Sequence, residues 1–298
     1  MFINVVVGVD GRQGGRDAIA LARQLVADTG ELTLAHVYEY DGDPSIRGYD
    51  EHDAEKIDRA RELLEVERRE AEIDAHLCWT GFGSVGGGLH NVAEMVSADL
   101  LVIGSTRRGL LGRVLIGDDT RAALNGAPCA VAIAPTGYAS HPAPIRTVGV
   151  GYDGSAESRR ALGTGRTLAA GLGASLAALE VVWFPAYLFE GPVAGDSDTI
   201  EDLIDDARAR VAAAGDLEPN SSYGQPAEEL AQWSASLDLL VVGSRGYGPT
   251  GRLVHGSTSF ELARRARCPL LVLTRVPRET IKPDEELAGH GTVAASPT

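Results

Sequence analysis

The sequence is poor in cysteine and in aromatic residues. It has three cysteines, none in a CxxC pair, and 5% of its residues are aromatic. An odd, scattered set of cysteines favours free thiols in a reducing cytosol over a disulfide framework. With so few aromatic side chains, Val, Leu, Ile and Ala must fill the core, and 298 residues are enough for two ordinary domains.

Positive charge is also scarce, since the formal net charge is −15 at pH 7. Nucleic acids and anionic membranes are bound through clustered Lys and Arg, so neither is an expected partner. No apolar stretch approaches the roughly 18 residues of a membrane span. The opening MFINVVVGVD lacks the basic region of a signal peptide. We therefore expect a cytoplasmic protein. A small phosphate-bearing ligand stays compatible, because its site relies on local N–H groups.

The same series of motifs occurs twice along the chain. Four pairs of segments match in the same order: VVVGVDG with VGVGYDG, ELTLAHVY with SLAALEVV, ADLLVIGS with LDLLVVGS, and APCAVAIAP with ARCPLLVLT. Repetition on the scale of a whole domain indicates a duplicated domain. We expect domains at residues 1–138 and 145–276, followed by a disordered tail at 277–298 that lacks apolar periodicity.

Each copy alternates short apolar runs with helical patterns, which is typical of a doubly wound α/β fold with helices on both faces. The runs at 100–104 and 238–243 are continuously apolar, as in strands buried on both faces of a parallel sheet. In the first copy, the patterns also predict these elements: a helix over 15–29, a strand at 32–37, a flexible Gly-rich loop at 81–88 and a helix near 88–97.

A Gly-rich loop follows the fourth apolar run of each copy. GSRGYGPTGRLVHGS begins at Gly243, and GSTRRGLLGRVLIGD begins at Gly104. Ligands of open α/β sheets bind beyond the carboxyl ends of the strands, and a helix N-terminus suits phosphate. In the second copy, Gly246 and Gly256 would allow close backbone approach to an anion. Each of these residues alone also fits a simple turn or helix cap, so the spacing carries the interpretation.

The spacing Gly243-x2-Gly246-x9-Gly256-Ser257, between a buried strand and a helix, resembles the ATP-binding signature of the universal stress protein family. The resemblance covers residues 1–275 as two tandem domains. It implies, for each domain, a five-stranded parallel sheet of order 3-2-1-4-5 with ATP across the strand ends. It also implies Mg²⁺ or Mn²⁺ with the triphosphate, and a homodimer formed through the last strand.

The resemblance also implies roles for individual residues. Asp153 would contact the nucleoside, and the backbone of Val181 would read the adenine edge. The ribose and phosphate positions match a further set in the second copy: Gly243, Gly246, Gly256, Ser257 and Thr258. The first copy keeps a weaker set at matching positions: Asp10, Val37, Gly104 and Gly117.

The first copy departs from the pattern at two positions. Arg107 stands where the second copy has Gly246, and Asp118 stands where it has Ser257. A carboxylate at a helix N-terminus interacts favourably with the helix dipole and stabilises the helix by roughly 0.3–1 kcal/mol. It would also repel a phosphate. We therefore expect ATP mainly in the C-terminal domain, although arginines of the first loop could still attract phosphate.

The main hypothesis is an ATP-binding stress-response or regulatory protein. A slow ATP hydrolase is an open alternative, but no general base stands at a recognisable spacing. A dimerisation or scaffold module that binds no nucleotide is the other. GYGPTG at 246–251 follows a fourth strand and contains Pro249, which disfavours a dinucleotide fingerprint. Trp183 and Phe184 would form a pocket wall or an interface.

Overall fold

The computed structural model describes residues 1–39, 51–105, 118–183, 197–244, 258–274 and 292–293. The chain forms two compact units. The N-terminal unit is built on Met1–Pro142, and the C-terminal unit on Ala143–Arg245 with Val254–Leu273. Each unit contains five parallel strands connected through helices.

The five parallel strands of the N-terminal unit are arranged in the order 3-2-1-4-5, with the first strand in the centre. Thr292–Val293 (β11) pairs antiparallel with the third strand, His76–Phe82, which adds a short sixth strand that the five-stranded expectation lacked. In chain order the elements are β1 (Phe2–Gly8), α1 (Gln13–Leu25), β2 (Val26–Glu39), α2 (Glu51–Glu70), β3 (His76–Phe82), α3 (Val85–Met95), β4 (Leu100–Gly104), α4 (Asp118–Leu124), β5 (Ala130–Ala134) and a 3-10 turn (Tyr138–Ser140).

The five parallel strands of the C-terminal unit repeat the order 3-2-1-4-5. Its elements are β6 (Thr147–Gly151), α5 (Ala156–Leu172), β7 (Ser175–Val182), α6 (Ser197–Ala212), β8 (Glu218–Tyr223), α7 (Pro226–Trp233), a 3-10 turn (Ser234–Ser236), β9 (Leu239–Gly243), α8 (Thr258–Arg265) and β10 (Leu270–Leu273). The predicted α/β class with doubly wound parallel sheets is confirmed.

Helices cover both faces of the C-terminal sheet. Gly165 of α5 packs against Val150 of β6, whereas the neighbouring Gly149 of the same strand packs against Trp233 of α7. Adjacent residues of a strand point to opposite faces. Helices α5 and α7 therefore lie on opposite sides of the sheet, and strands such as β9 have four buried residues in succession.

The predicted boundary between the first helix and the second strand is wrong. Helix α1 ends at Leu25, four residues before the expected end at 29, and β2 already begins at Val26. Val26 takes extended dihedral angles and pairs with Phe2 of β1. A β-branched residue gains little from a helix, and pairing with a distant strand decides its conformation.

The Gly-rich segment at 81–88 is also not the flexible loop that its composition suggests. It contains the end of β3 and the first turn of α3, and Ser84 caps this helix by accepting a hydrogen bond from Gly87 N at 3.2 Å. A Cβ at Gly86 would lie 2.5 Å from the Cβ of Ala122 in α4. The small residues thus permit close packing of two helices.

In each unit, one aspartate holds the start of the first strand. Asp99, just before β4, accepts hydrogen bonds from the backbone N–H groups of Ile3 and Asn4 at 2.8 and 3.0 Å. Asp238, just before β9, accepts from the N–H groups of Arg146 and Thr147, both at 2.9 Å. Hydrogen bonds to a carboxylate are stronger than those between neutral groups. In each unit, these hydrogen bonds therefore fix the start of the first strand beside the start of the fourth strand.

A buried carboxylate holds the end of the N-terminal unit against α1. Asp17 has no exposed surface. Its carboxylate oxygens accept hydrogen bonds from Gly137 N and Ala139 N, both at 2.8 Å, and from the side chain of Gln13 at 2.9 Å. The hydrogen bonds offset the cost of burying the carboxylate.

Candidate functional site

Three of the predicted C-terminal site residues lie at one edge of the sheet. Strand β6 pairs with β7 on one side and with β9 on the other. Asp153 follows β6 by two residues, Val181 is near the end of β7, and Gly243 ends β9. Parallel strands present their carboxyl ends at the same edge, and the chain reverses its winding direction between β6 and β9. This is the position where open α/β sheets bind ligands.

A tight turn places Asp153 at this edge. The Asp153 Oδ1 accepts a hydrogen bond from Ser155 N at 3.0 Å, and Gly154 between them has a left-handed φ of 72°. Ser155 then caps α5 by accepting from Ser158 N at 3.2 Å. The side chain thus forms a local turn that links the strand to the helix, while the residue stays exposed.

The N-terminal unit has the same turn at the matching position. Asp10 Oδ1 accepts from Arg12 N at 3.1 Å, and Gly11 has a φ of 71°. Val37 lies in β2 and Gly104 ends β4, and these strands flank β1. The structure therefore brings together Asp10, Val37 and Gly104 as it does their C-terminal counterparts.

The glycine that ends the fourth strand of each unit has a packing role. A Cβ at Gly104 would lie 2.0 Å from the carbonyl oxygen of Gly14 in α1. A Cβ at Gly243 would lie 2.7 Å from the carbonyl oxygen of Glu157 in α5. The first helix of each unit crosses these strand ends too closely for any side chain. Sequence reasoning interpreted both glycines as ligand positions and missed this second reason for them.

Most of the predicted phosphate loop lies outside the described residues. Gly246, Gly256 and Ser257 are not among them, and neither are Gly117 and Arg107. Thr258 begins α8 and is exposed. The backbone of Asp118 begins α4, while its side chain is outside the description. The contrast between the two loops therefore stays a prediction from the sequence.

An ion pair neutralises the acidic residue beside Val181. Glu180 is 13% exposed and accepts hydrogen bonds from Arg210 of α6, with Nη2 to Oε1 at 2.6 Å and Nε to Oε1 at 3.1 Å. This hydrogen bond raises the pKa of Arg210 above its ordinary value. The N-terminal counterpart of Glu180 is His36, whose ring Nδ1 lies 2.8 Å from Val9 O.

The first helices of the two units use matching arginines differently. In the N-terminal unit, Arg16 binds the buried Glu67 at 3.2 Å and lies 3.5 Å from Glu70. In the C-terminal unit, the exposed Arg159 donates a hydrogen bond to the carbonyl oxygen of Gly154, in the turn after β6. A guanidinium group thus lies at the C-terminal strand edge, whereas its N-terminal counterpart is held by two carboxylates.

Sequence reasoning also missed polar and aromatic groups on β8. The hydroxyl oxygens of Ser221 and Ser222 are buried without a hydrogen-bond partner. Ser222 is the register partner of Val181, and Tyr223 at the strand end is 44% exposed. The segment EPNSSY shows weak strand periodicity, so composition alone could not have singled out these residues.

The described residues contain no group of three His, Cys, Asp or Glu side chains that could hold a metal ion. Within the same residues, no helix is both long and apolar enough to cross a membrane.

A model of the family described as "Universal stress protein family" matches residues 1–135 and, a second time, residues 144–274. The chain belongs to the universal stress protein family. The two matches make it a tandem member. Its strand order and repeated turn after the first strand agree with one domain type used twice.

Known universal stress proteins resemble this tandem member. One from Mycobacterium tuberculosis is 31% identical over 182 residues, which cover 59% of this chain and 61% of that protein. The match thus spans less than two thirds of that relative. Another from the same organism is 26% identical over 230 residues, or 72% of this chain and 77% of that protein. A universal stress protein structure from Archaeoglobus fulgidus has a TM-score of 0.66 at 20% identity, covering 91% and 98% of the two chains, which supports the fold.

Proposed function

We propose that this universal stress protein binds ATP with Mg²⁺, mainly in its C-terminal unit, and acts as a nucleotide-responsive regulator. The observation that carries the proposal is the convergence of Asp153, Val181 and Gly243 at the point where the sheet reverses its winding direction. An exposed carboxylate and strand backbone thus lie at the edge where open α/β sheets bind small ligands.

The preference for the C-terminal unit has two kinds of support. In the sequence, Gly246 and Ser257 replace Arg107 and Asp118, which removes a carboxylate from the helix start. Among the described residues, Arg159 lies at the C-terminal strand edge, with its side chain on the turn after β6. Both differences make the C-terminal edge more favourable for a triphosphate.

The residues present fit this ligand. Asp153 is exposed, and the nearby Glu180 is ion-paired with Arg210, so the charge of Glu180 does not oppose a polyphosphate there. Asp153 would hold the nucleoside, and the backbone of Val181 would face the base. Mg²⁺ would supply charge neutralisation of the triphosphate.

The test is an equilibrium titration of the full, nucleotide-free chain with ATP in the presence of Mg²⁺. We expect the wild type to bind about one ATP per chain. Gly246→Arg and Ser257→Asp should each weaken ATP binding about tenfold or more, and a tenfold loss corresponds to about 1.4 kcal/mol. Gly163→Arg is the matched control, because Gly163 is exposed on α5 with no atoms within 4 Å of a Cβ. It should bind ATP like the wild type.

Other outcomes would identify the alternatives. If the wild-type chain binds no ATP in the presence of Mg²⁺, the proposed function is wrong, and a dimerisation or scaffold module is the remaining interpretation. Release of inorganic phosphate above a protein-free control, lost in Ser257→Asp and kept in Gly163→Arg, would indicate a slow hydrolase. Sedimentation with and without ATP would test the expected homodimer.

A further inference from the structure

Trp183 is an exposed tryptophan directly after β7. Its relative exposure is 51%, whereas Trp79 and Trp233 are both partly buried. An indole left half in water contributes little to the core and is available for a ligand or a partner. Its position at the carboxyl edge of the sheet points to the ligand.

The direction of Trp183 follows from the strand register. Val182 O accepts a hydrogen bond from Gly224 N at 3.1 Å, so β7 and β8 stay paired up to this point. Side chains alternate along a strand, and Trp183 is the first residue after β7. An extended backbone at this residue would place its side chain on the same face as that of Val181, about 7 Å further along the chain. Tyr223 is the register partner of Val182 and therefore lies on the opposite face.

The N-terminal unit has a different residue at the matching position. In the aligned segments HVYE and EVVW, Glu39 corresponds to Trp183. Glu39 is exposed, and its carbonyl oxygen accepts a hydrogen bond from the Lys56 ammonium at 3.0 Å. A carboxylate offers no aromatic surface to a base and adds a negative charge.

We infer that Trp183 is a specificity-determining residue, whose indole stacks on the purine base of a nucleotide held at Val181. The inference rests on the proposed function, which it deepens by assigning the recognition of the base to one side chain. Stacking on an aromatic ring strengthens binding of any flat base and leaves the phosphates unaffected. Purines stack better than pyrimidines because their ring surface is larger. The loss of stacking should weaken binding about tenfold or more.

The experiment compares ATP, CTP and inorganic triphosphate as ligands of the full chain with Mg²⁺. We expect Trp183→Leu to weaken ATP binding about tenfold and CTP binding less, with inorganic triphosphate unchanged. Trp183→Phe should keep most of the ATP affinity. Tyr223→Leu is the matched control, since Tyr223 is an exposed aromatic residue at the same edge on the other face, and it should bind ATP normally.

Fluorescence gives a second readout that does not depend on affinity. ATP should quench the tryptophan emission of the wild type, and the quenching should vanish in Trp183→Phe while calorimetry still shows ATP binding. Equal unfolding midpoints of Trp183→Leu and the wild type would establish that the exposed residue leaves the fold intact.

The outcomes separate this inference from the proposed function. A wild type that binds ATP, together with a Trp183→Leu variant of equal affinity, would overturn the role of Trp183 and leave ATP binding intact. Equal losses for ATP and inorganic triphosphate would also overturn it, because stacking acts on the base. A wild type that binds none of the three ligands would overturn the proposed function and the inference with it.

Discussion

Replacing Gly104 by Ala should destabilise the N-terminal unit strongly. The new Cβ would lie 2.0 Å from the carbonyl oxygen of Gly14. Carbon and oxygen atoms settle at about 3.3 Å or more, so α1 or β4 would have to move by more than about 1 Å. Overpacking of this kind costs about 1–3 kcal/mol, and the buried surroundings of β4 place Gly104→Ala at the upper end.

Gly14 and Gly243 provide a graded comparison. A Cβ at Gly14 would meet only Ser105 O at 3.7 Å and Gly104 Cα at 3.9 Å, which are ordinary contacts. Gly14→Ala should therefore be neutral or stabilise α1 by up to about 1 kcal/mol. A Cβ at Gly243 would lie 2.7 Å from the carbonyl oxygen of Glu157, so Gly243→Ala should cost about 1–2 kcal/mol in the C-terminal unit.

Urea unfolding followed by circular dichroism would measure these changes, in the absence of nucleotide. Hydrogen exchange would assign the loss in Gly104→Ala to α1 and β4, and the loss in Gly243→Ala to α5 and β9. Equal midpoints for Gly104→Ala and Gly14→Ala would refute the packing argument. Contact with a ligand would then be the better explanation for a glycine at the end of the fourth strand.

Three further predictions concern buried side chains. Asp17→Ala should destabilise the N-terminal unit by about 2–4 kcal/mol, because it leaves the N–H groups of Gly137 and Ala139 unpaired; thermal unfolding against an Asp17→Asn variant would measure this. Burial raises the pKa of the Cys129 and Cys268 thiols to about 12, so neither should react with a disulfide reagent at pH 8 until the chain is unfolded. Because the ordinary thiol pKa is 9, these two buried thiols favour the folded state below pH 9. This contribution to the free energy of unfolding should fall as the pH rises from 9 to about 12. Unfolding midpoints measured across that range would show the fall.

The sequence predicted elements best where periodicity was strong. The run at 100–104 agrees with β4 at both ends, and the run at 238–243 agrees with β9 at all but its first residue. The end of α1 could not be predicted, because Val26 leaves the helix to pair with Phe2, which is distant in the sequence. The glycines at 86–88 suggested flexibility, but a Cβ at Gly86 would meet α4, and Cβ atoms at the next two glycines would meet Phe82 and Val37.

The candidate site was predictable in its topology and less so in its detail. The family resemblance singled out Asp153 and Val181, and the structure places both at one edge of the sheet. The contact between Gly243 and Glu157 depends on how closely a helix crosses a strand end, which no local pattern encodes. Asp238 was visible in the repeated LDLLVVGS, but its hydrogen bonds to Thr147 depend on the neighbouring strand.

The Asp238 anchor determines where a separately expressed C-terminal unit can begin. Its carboxylate holds the N–H groups of Arg146 and Thr147, and Ile145 before them is 3% exposed. A fragment that starts at Val148 would lose that buried side chain and leave the carboxylate without its donors. Expression boundaries should therefore lie at Ala143 or earlier, and a fragment trimmed past Thr147 should be less stable than one that keeps Ile145, Arg146 and Thr147.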